Sequence, residues 1–193
     1  MALIKLVDPT TLEGTPREVA ESGIAQYGKA LNTWQAIMNR PDMFAAYLPF
    51  LRQVAGPGVL DGELKDLSAL YVGYLNNCQY TASHRSTSAR TKGISDDQMR
   101  AVVNEDWSGL SDKYQIALEY TKALTLSPSV LSYTEAPQIV DEKLQTELKA
   151  HFSDVEILEL TMSISVWNAL SRFHRVMGFE LDMPEAPEGV KPL

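Results

Sequence analysis

Asp61-Gly62-Glu63-Leu64-Lys65-Asp66-Leu67-Ser68-Ala69-Leu70-Tyr71-Val72-Gly73-Tyr74-Leu75-Asn76-Asn77-Cys78-Gln79-Tyr80-Thr81-Ala82-Ser83-His84-Arg85 is the stretch that decides the fold. Asp61 is a good N-cap. Leu64, Leu67, Leu70, Tyr71, Tyr74 and Leu75 then recur at three- and four-residue steps, which places them on one buried helical face. Asn76-Asn77 offers a break. A second helix is predicted from Cys78 to Lys92, stopped by Gly93 in the position after the C-cap.

The same pattern extends outward on both sides. Toward the amino terminus, Pro41 suits a first helical turn, where its missing N–H costs nothing. Met43, Phe44, Tyr47, Leu48 and Leu51 follow as an apolar stripe. Pro49 is expected to kink or shorten that helix, and Gly56-Pro57-Gly58 ends it. A short helix is predicted over 33–39. An earlier one starts at Pro16 and is carried by Val19, Ala20, Ile24, Tyr27 and Leu31, with Gly23 and Gly28 weakening it. Residues 1–15 read as an extended lead-in.

Toward the carboxyl terminus, Ser95-Asp96-Asp97-Gln98 and Ser153-Asp154-Val155-Glu156 both have the form of a capping box. Between them Ser111 caps a helix carried by Tyr114, Ala117, Leu118, Tyr120 and Leu124. Ser127-Pro128 and Ala136-Pro137 bound a loop-rich passage, and Asp141 opens a short helix ending near Phe152. The longest helix follows Ser153, with Ile157, Leu158, Leu160, Ile164, Val166, Trp167, Leu170, Phe173 and Val176 on its inner side. Gly178 ends it. The Pro-rich tail, 181–193, is expected to be surface-bound or mobile. No stretch has a strand pattern, so the chain reads as all-α, with one helical domain over 16–180.

Composition narrows the function. The chain has 193 residues, 45% of them hydrophobic and 22% charged, ordinary values for a globular protein. A formal charge of −8 and the lack of any Lys/Arg-rich run argue against nucleic acid and against an anionic membrane surface. No apolar run approaches the roughly 20 residues that span a bilayer. Cys78 is the single cysteine, so no intrachain disulfide can form, and the chain is expected to be cytoplasmic. There is no His-x-x-x-His, no second soft ligand and no glycine-rich phosphate loop, so the reading is cofactor-free and metal-free.

At about 100° per residue, Cys78, Thr81, Ala82 and Arg85 share one face of their helix, with His84 some 60° beyond Thr81. Cys78 stands at the helix N-terminus, where the dipole and free N–H groups favour a thiolate. Arg85 can bind a carboxylate bidentately. Asp66 is weighed evenly as a relay to His84 or as a partner for Lys65 or Arg85. Tyr71, Tyr74 and Tyr80 read as core and pocket wall. Trp34, Trp107 and Trp167 read as packing residues. His151 reads as a dipole partner at a helix end, and His174 as a structural residue that can also line a pocket or a subunit contact.

Three stretches, in order, resemble the AhpD-like (carboxymuconolactone decarboxylase) family. They are Arg40-Pro41-Asp42-Met43-Phe44-Ala45-Ala46-Tyr47-Leu48; the run from Glu63 through Asn76-Asn77-Cys78-Gln79-Tyr80 to His84 and Gly93; and Phe152-Ser153-Asp154 through Trp167-Asn168-Ala169-Leu170-Ser171-Arg172-Phe173. Together they cover most of residues 32–180. The resemblance implies a multi-helical fold that self-associates into trimers or hexamers. Peroxidase members of the family carry Cys-x-x-Cys followed by a His, with a Glu on the preceding helix. Carried over, Cys78 matches the first, resolving cysteine, and Thr81 stands where the peroxide-attacking cysteine belongs. Asp66 falls at the place of the relay Glu. His84 falls where some members have their His, and Arg85 where others do. A threonine hydroxyl cannot replace a thiolate as a peroxide nucleophile, and one cysteine cannot reset the site through an internal disulfide.

Three functions are therefore weighed. The first is cofactor-free acid–base chemistry of lyase, decarboxylase or isomerase type on a small, carboxylate-bearing substrate. In it His84, Asp66 and Cys78 are the catalytic candidates, while Thr81, Arg85 and Tyr80 bind substrate. The second is a one-cysteine alkylhydroperoxidase using Cys78. The third is a non-catalytic module for small-molecule binding or assembly.

Overall fold

The computed structural model describes residues 2–126 and 140–192, and among these there are nine α-helices and no strand. The helices are α1 (Gly14–Tyr27), α2 (Asn32–Ile37), α3 (Pro41–Ala55), α4 (Gly62–Leu75), α5 (Gln79–Thr91), α6 (Asp96–Val103), α7 (Asp112–Leu126), α8 (Glu142–His151) and α9 (Asp154–Met177). No described helix is long and apolar enough to cross a membrane. The passage expected between Ser127-Pro128 and Ala136-Pro137 lies outside the described residues.

Helix α4 is the central element. Every residue from Leu64 to Gly73 is buried, including Lys65, Asp66 and Ser68. One side packs with α7, α8 and α9 through Leu64, Val72, Ile116, Leu148, Leu160 and Ile164. The other side, Leu67, Leu70 and Tyr71, meets α5, α6 and the C-terminal segment. A third cluster joins α1, α2 and α3 around Trp34, Phe44 and Leu48. A helix surrounded in this way must bury its polar residues too, and each charged one is paired. Lys65 meets Glu159 at 2.8 Å, and Glu159 also accepts the N–H groups of Val59 and Leu60 at 3.0 Å each. The Lys65 hydrogen bond, with these backbone donors, holds the Glu159 carboxyl down at about 2.

The predicted caps form. Asp61 accepts from Glu63 N, and both capping boxes, Ser95/Gln98 and Ser153/Glu156, are complete. Gly178 ends α9 in the left-handed region at φ 63°.

Three expectations differ. Residues 1–15 are not wholly extended: the Asp8 carboxylate accepts from Thr10 N and closes a 3-10 turn over Pro9–Thr11, and α1 already starts at Gly14. Pro49 does not shorten α3, which runs on to Ala55 with the proline on its exposed side. Of the two expectations for the Pro-rich tail, surface-bound or mobile, the tail is bound, and more deeply than at the surface. Ala186 and Val190 are buried in the α4–α6 cluster, and the Ser83 hydroxyl donates toward Met183 O and Pro184 O.

Candidate active site

The site is built around the start of α5. Asn77 takes a left-handed conformation (φ 51°), turning the chain so that Cys78 N donates to Gly73 O at 2.9 Å. Cys78 is the N-cap. Its sulfur accepts from Thr81 N at 3.4 Å and from Thr81 Oγ1 at 3.3 Å, a place that oxygen-bearing side chains usually fill. The thiol is buried, with only 1% of the residue exposed.

Thr81 passes the network inward. Its Oγ1 lies 2.9 Å from His174 Nδ1 and accepts from Ser171 Oγ at 3.1 Å. The other ring nitrogen of His174 is 3.0 Å from Thr33 Oγ1. Burial drives His174 down to about 3, so the ring is neutral, held by a hydroxyl on each side. Its spacing of seven from Trp167 on the inner face of α9 is the sequence signal for this placement, and it points to a buried position without revealing a partner.

Tyr80 stands between two imidazoles. Its ring stacks on His84 (centroids 4.4 Å apart, 27° between planes) and tilts against His174 at 4.6 Å. Its hydroxyl donates to Asp182 Oδ2 at 2.7 Å. Burial, with the Asp182 charge beside it, pushes the phenol well above its ordinary value, so it stays a donor.

His84 pairs with Asp182, Nε2 to Oδ1, at 2.5 Å. Burial lowers the imidazole, the Asp182 hydrogen bond and charge oppose this, and burial wins. On Asp182 burial acts to raise the carboxyl. The His84 hydrogen bond and charge, Asn32 N at 2.7 Å and the Tyr80 hydroxyl together outweigh it and hold the group low. The pair is thus a neutral imidazole donating Nε2–H to a carboxylate. That tautomer, assigned from the network, leaves Nδ1 with a free lone pair and no protein partner among the described residues.

Asp66 is elsewhere. Its carboxylate lies 3.2 Å from Arg85 Nη1 and 2.7 Å from Lys92 Nζ, and it accepts from Ser88 Oγ at 2.9 Å. Of the two roles weighed for it, partner to Arg85 is the one the geometry provides, and the carboxylate beside His84 is Asp182. No sequence signal announced Asp182, since it sits 98 residues from His84 in what reads as a tail. The Arg85 guanidinium lies over the Trp167 ring, 4.2 Å from its centroid.

Tyr80, His84, Arg85 and His174 line a cavity of about 780 Å³, together with Thr33, Tyr47, Leu51, Trp167, Leu170 and the loop from Gly56 to Gly62. Cys78, Thr81 and Asp66 lie behind this wall and are not part of its lining. The six sequence candidates therefore divide: Tyr80, His84 and Arg85 face the cavity, and the other three support them from behind. Among the described residues no group of three His, Cys, Asp or Glu is placed to hold a metal ion.

The all-α arrangement of the described helices, with the cavity between α3, the loop from Gly56 to Gly62, α5 and α9, is the AhpD-like fold. Residues 41–122 match the carboxymuconolactone decarboxylase family, which bears out the resemblance read from the sequence. The Escherichia coli (strain K12) protein YnjA, described only as uncharacterized, is 27% identical over 155 residues, covering 78% of this chain and 79% of its own. Among solved structures, a debrominase, Bmp8, in complex with 2,3,4-tribromopyrrole superposes with TM-score 0.75 at 19% identity, over 98% of this chain and 97% of its own. The AhpD core of a peroxidase-related protein from Ralstonia eutropha JMP134 superposes with TM-score 0.75 at 15% identity, over 99% and 95%. At these identities the structures establish a shared fold.

Proposed function

We propose that the protein is a cofactor-free acid–base enzyme acting on a small organic substrate that bears a carboxylate, in reactions of lyase, decarboxylase or isomerase type. One observation carries the reading: a neutral His84, locked through Nε2 to Asp182 with Nδ1 left free, lines a cavity that it shares with Arg85. Nδ1 takes a proton from a carbon next to a carbonyl, and Asp182 stabilises the imidazolium that forms. Arg85 holds the substrate carboxylate, and Asp66 holds Arg85. Thr81 fixes the start of α5 from behind, and His174 packs against Tyr80 in the cavity wall.

The other two readings have less support. Cys78 is shut off from the cavity, which weighs against direct attack on a peroxide. A cavity shared by His84 and Arg85 weighs against a purely structural module, and the tribromopyrrole bound by the debrominase is in keeping with a small-molecule site in this fold. A cytoplasmic setting and self-association into a trimer or hexamer belong to the same proposal.

The test is proton exchange at activated carbons of small keto acids and unsaturated lactones, followed by NMR in D₂O with decarboxylation monitored alongside. His84→Gln is expected to lose about a hundredfold or more in rate, the usual contribution of a positioned base. Asp182→Asn loses less and moves the acid limb of the pH profile downward, because the carboxylate is what raises His84. Full activity in His84→Gln sinks the assignment.

A further inference from the structure

The cavity wall around Arg85 carries an unanswered charge. Asp66 is the carboxylate in contact with both Arg85 and Lys92, so one negative group serves two positive ones. Lys92 is further occupied by Gly62 O at 2.9 Å. Arg85 offers Asp66 only Nη1, while its Nε is buried with no hydrogen-bond partner, although the residue is only 9% exposed. A charged N–H hidden from water and unpaired is costly, and an anion held against the same guanidinium offsets that cost through its charge. The guanidinium cannot easily swing away, because it lies on the Trp167 ring. Next to it, Tyr47 lines the same cavity, and its hydroxyl has no protein partner among the described residues.

The rest of the wall states what body the ligand has. Tyr27, Trp34, Tyr47, Tyr80 and Trp167 all line the cavity, an aromatic share that favours a flat, conjugated molecule over a saturated one. The volume, about 780 Å³, is within the range of sites for small organic ligands.

We propose that the cavity takes a planar, conjugated monoanion, its carboxylate against the Arg85 guanidinium and the Tyr47 hydroxyl and its ring along the aromatic wall. This names the substrate class for the acid–base reading of the same cavity and rests on it. A single carboxylate balances the one positive charge left over in the Asp66–Arg85–Lys92 cluster; Arg52, which also lines the cavity, is met by the Ser22 hydroxyl.

Calorimetry on the full chain tests this with four probes: benzoate, benzamide, cyclohexanecarboxylate and phthalate. Benzoate is expected to bind about tenfold or more tighter than benzamide, as befits a hydrogen bond to a charged group, and tighter than the other two. Arg85→Met removes the preference for benzoate over benzamide, whereas His84→Gln keeps it. Benzoate binding no tighter than benzamide overturns the proposal, as does unchanged benzoate affinity in Arg85→Met. The wild-type series decides the matter even where the Arg85 variant does not fold. Intact benzoate selectivity with full exchange activity in His84→Gln separates the two ideas, since it removes the acid–base reading and leaves the anion subsite standing.

Discussion

Two imidazoles flank the Tyr80 ring, and burial takes both below the ordinary histidine value of 6.5, His174 to about 3. Their folded state therefore binds fewer protons than the unfolded chain once pH falls below that value. Stability rises with pH wherever the unfolded state holds more protons, so acidification must destabilise this protein. Between about pH 6.5 and 5 the loss from His174 approaches one proton, about 1.4 kcal/mol per pH unit, and His84 adds to it in the same direction. Asp182 works in a different window. Its folded value is depressed, so its contribution is present above about 3.8 and is lost only as pH falls through the lower folded value. Thermal melts at pH 7.5, 6.5 and 5.5 are expected to show a steady fall, and His174→Gln should reduce the slope by about one proton. A flat profile over this range contradicts the buried, neutral assignment. At this scale half of the site was legible. Tyr80, His84 and Arg85 stand on one helix, where spacing places them together. Asp182 was not, because its approach to His84 is made by the return of the chain after α9, and no local pattern encodes that.

At the scale of elements, the α4–α5 corner sets the positions of these side chains. Gly73 lies where α5 starts against α4, and a Cβ there would meet Thr81 Cγ2 at 2.9 Å and Ala82 N at 3.2 Å. The close approach lets Cys78 cap the helix and brings Thr81 to His174. Gly73→Ala gains about 1 kcal/mol of helix propensity and meets about 1–3 kcal/mol of overpacking against backbone. The net expectation is a loss of about 1 kcal/mol, a few degrees in melting temperature, with a larger fall in exchange rate because Thr81 and His174 are displaced. A variant as stable and as active as wild type would show that the corner has slack. Caps made the helices readable: Asp61, Ser95, Asp141 and Ser153 each accept a backbone N–H where the sequence places them. Pro49 and the C-terminal segment were not readable, for one reason. A proline on the exposed side of an amphipathic helix and an apolar Val190 in a Pro-rich run are both decided by what packs beside them, which no local rule supplies.

For the molecule as a whole, α9 presents the feature that single-chain packing leaves unused. Leu160, Ile164, Trp167 and His174 face inward, while Val155, Leu158 and Val176 on the outward side are about half exposed or more. Periodicity places Leu158 and Val176 on the inner face. The helix instead turns them outward, where they are 60% and 66% exposed. Val59, on the loop that Glu159 ties to α9, adds a further exposed apolar side chain near the start of the helix. Apolar surface of this extent on a chain with net charge −8 is better covered by a second copy of the same helix than by water, since paired faces hide apolar area without bringing many like charges together. Light scattering coupled to size exclusion is expected to give a closed homo-oligomer, a trimer or hexamer. Leu158→Glu with Val155→Glu should reduce it to monomers that keep their helical circular dichroism and their His84–Asp182 pair, because neither residue lines the cavity. A monomeric wild-type protein would mean that the α9 stripe serves no self-contact, and the oligomer would have to be given up.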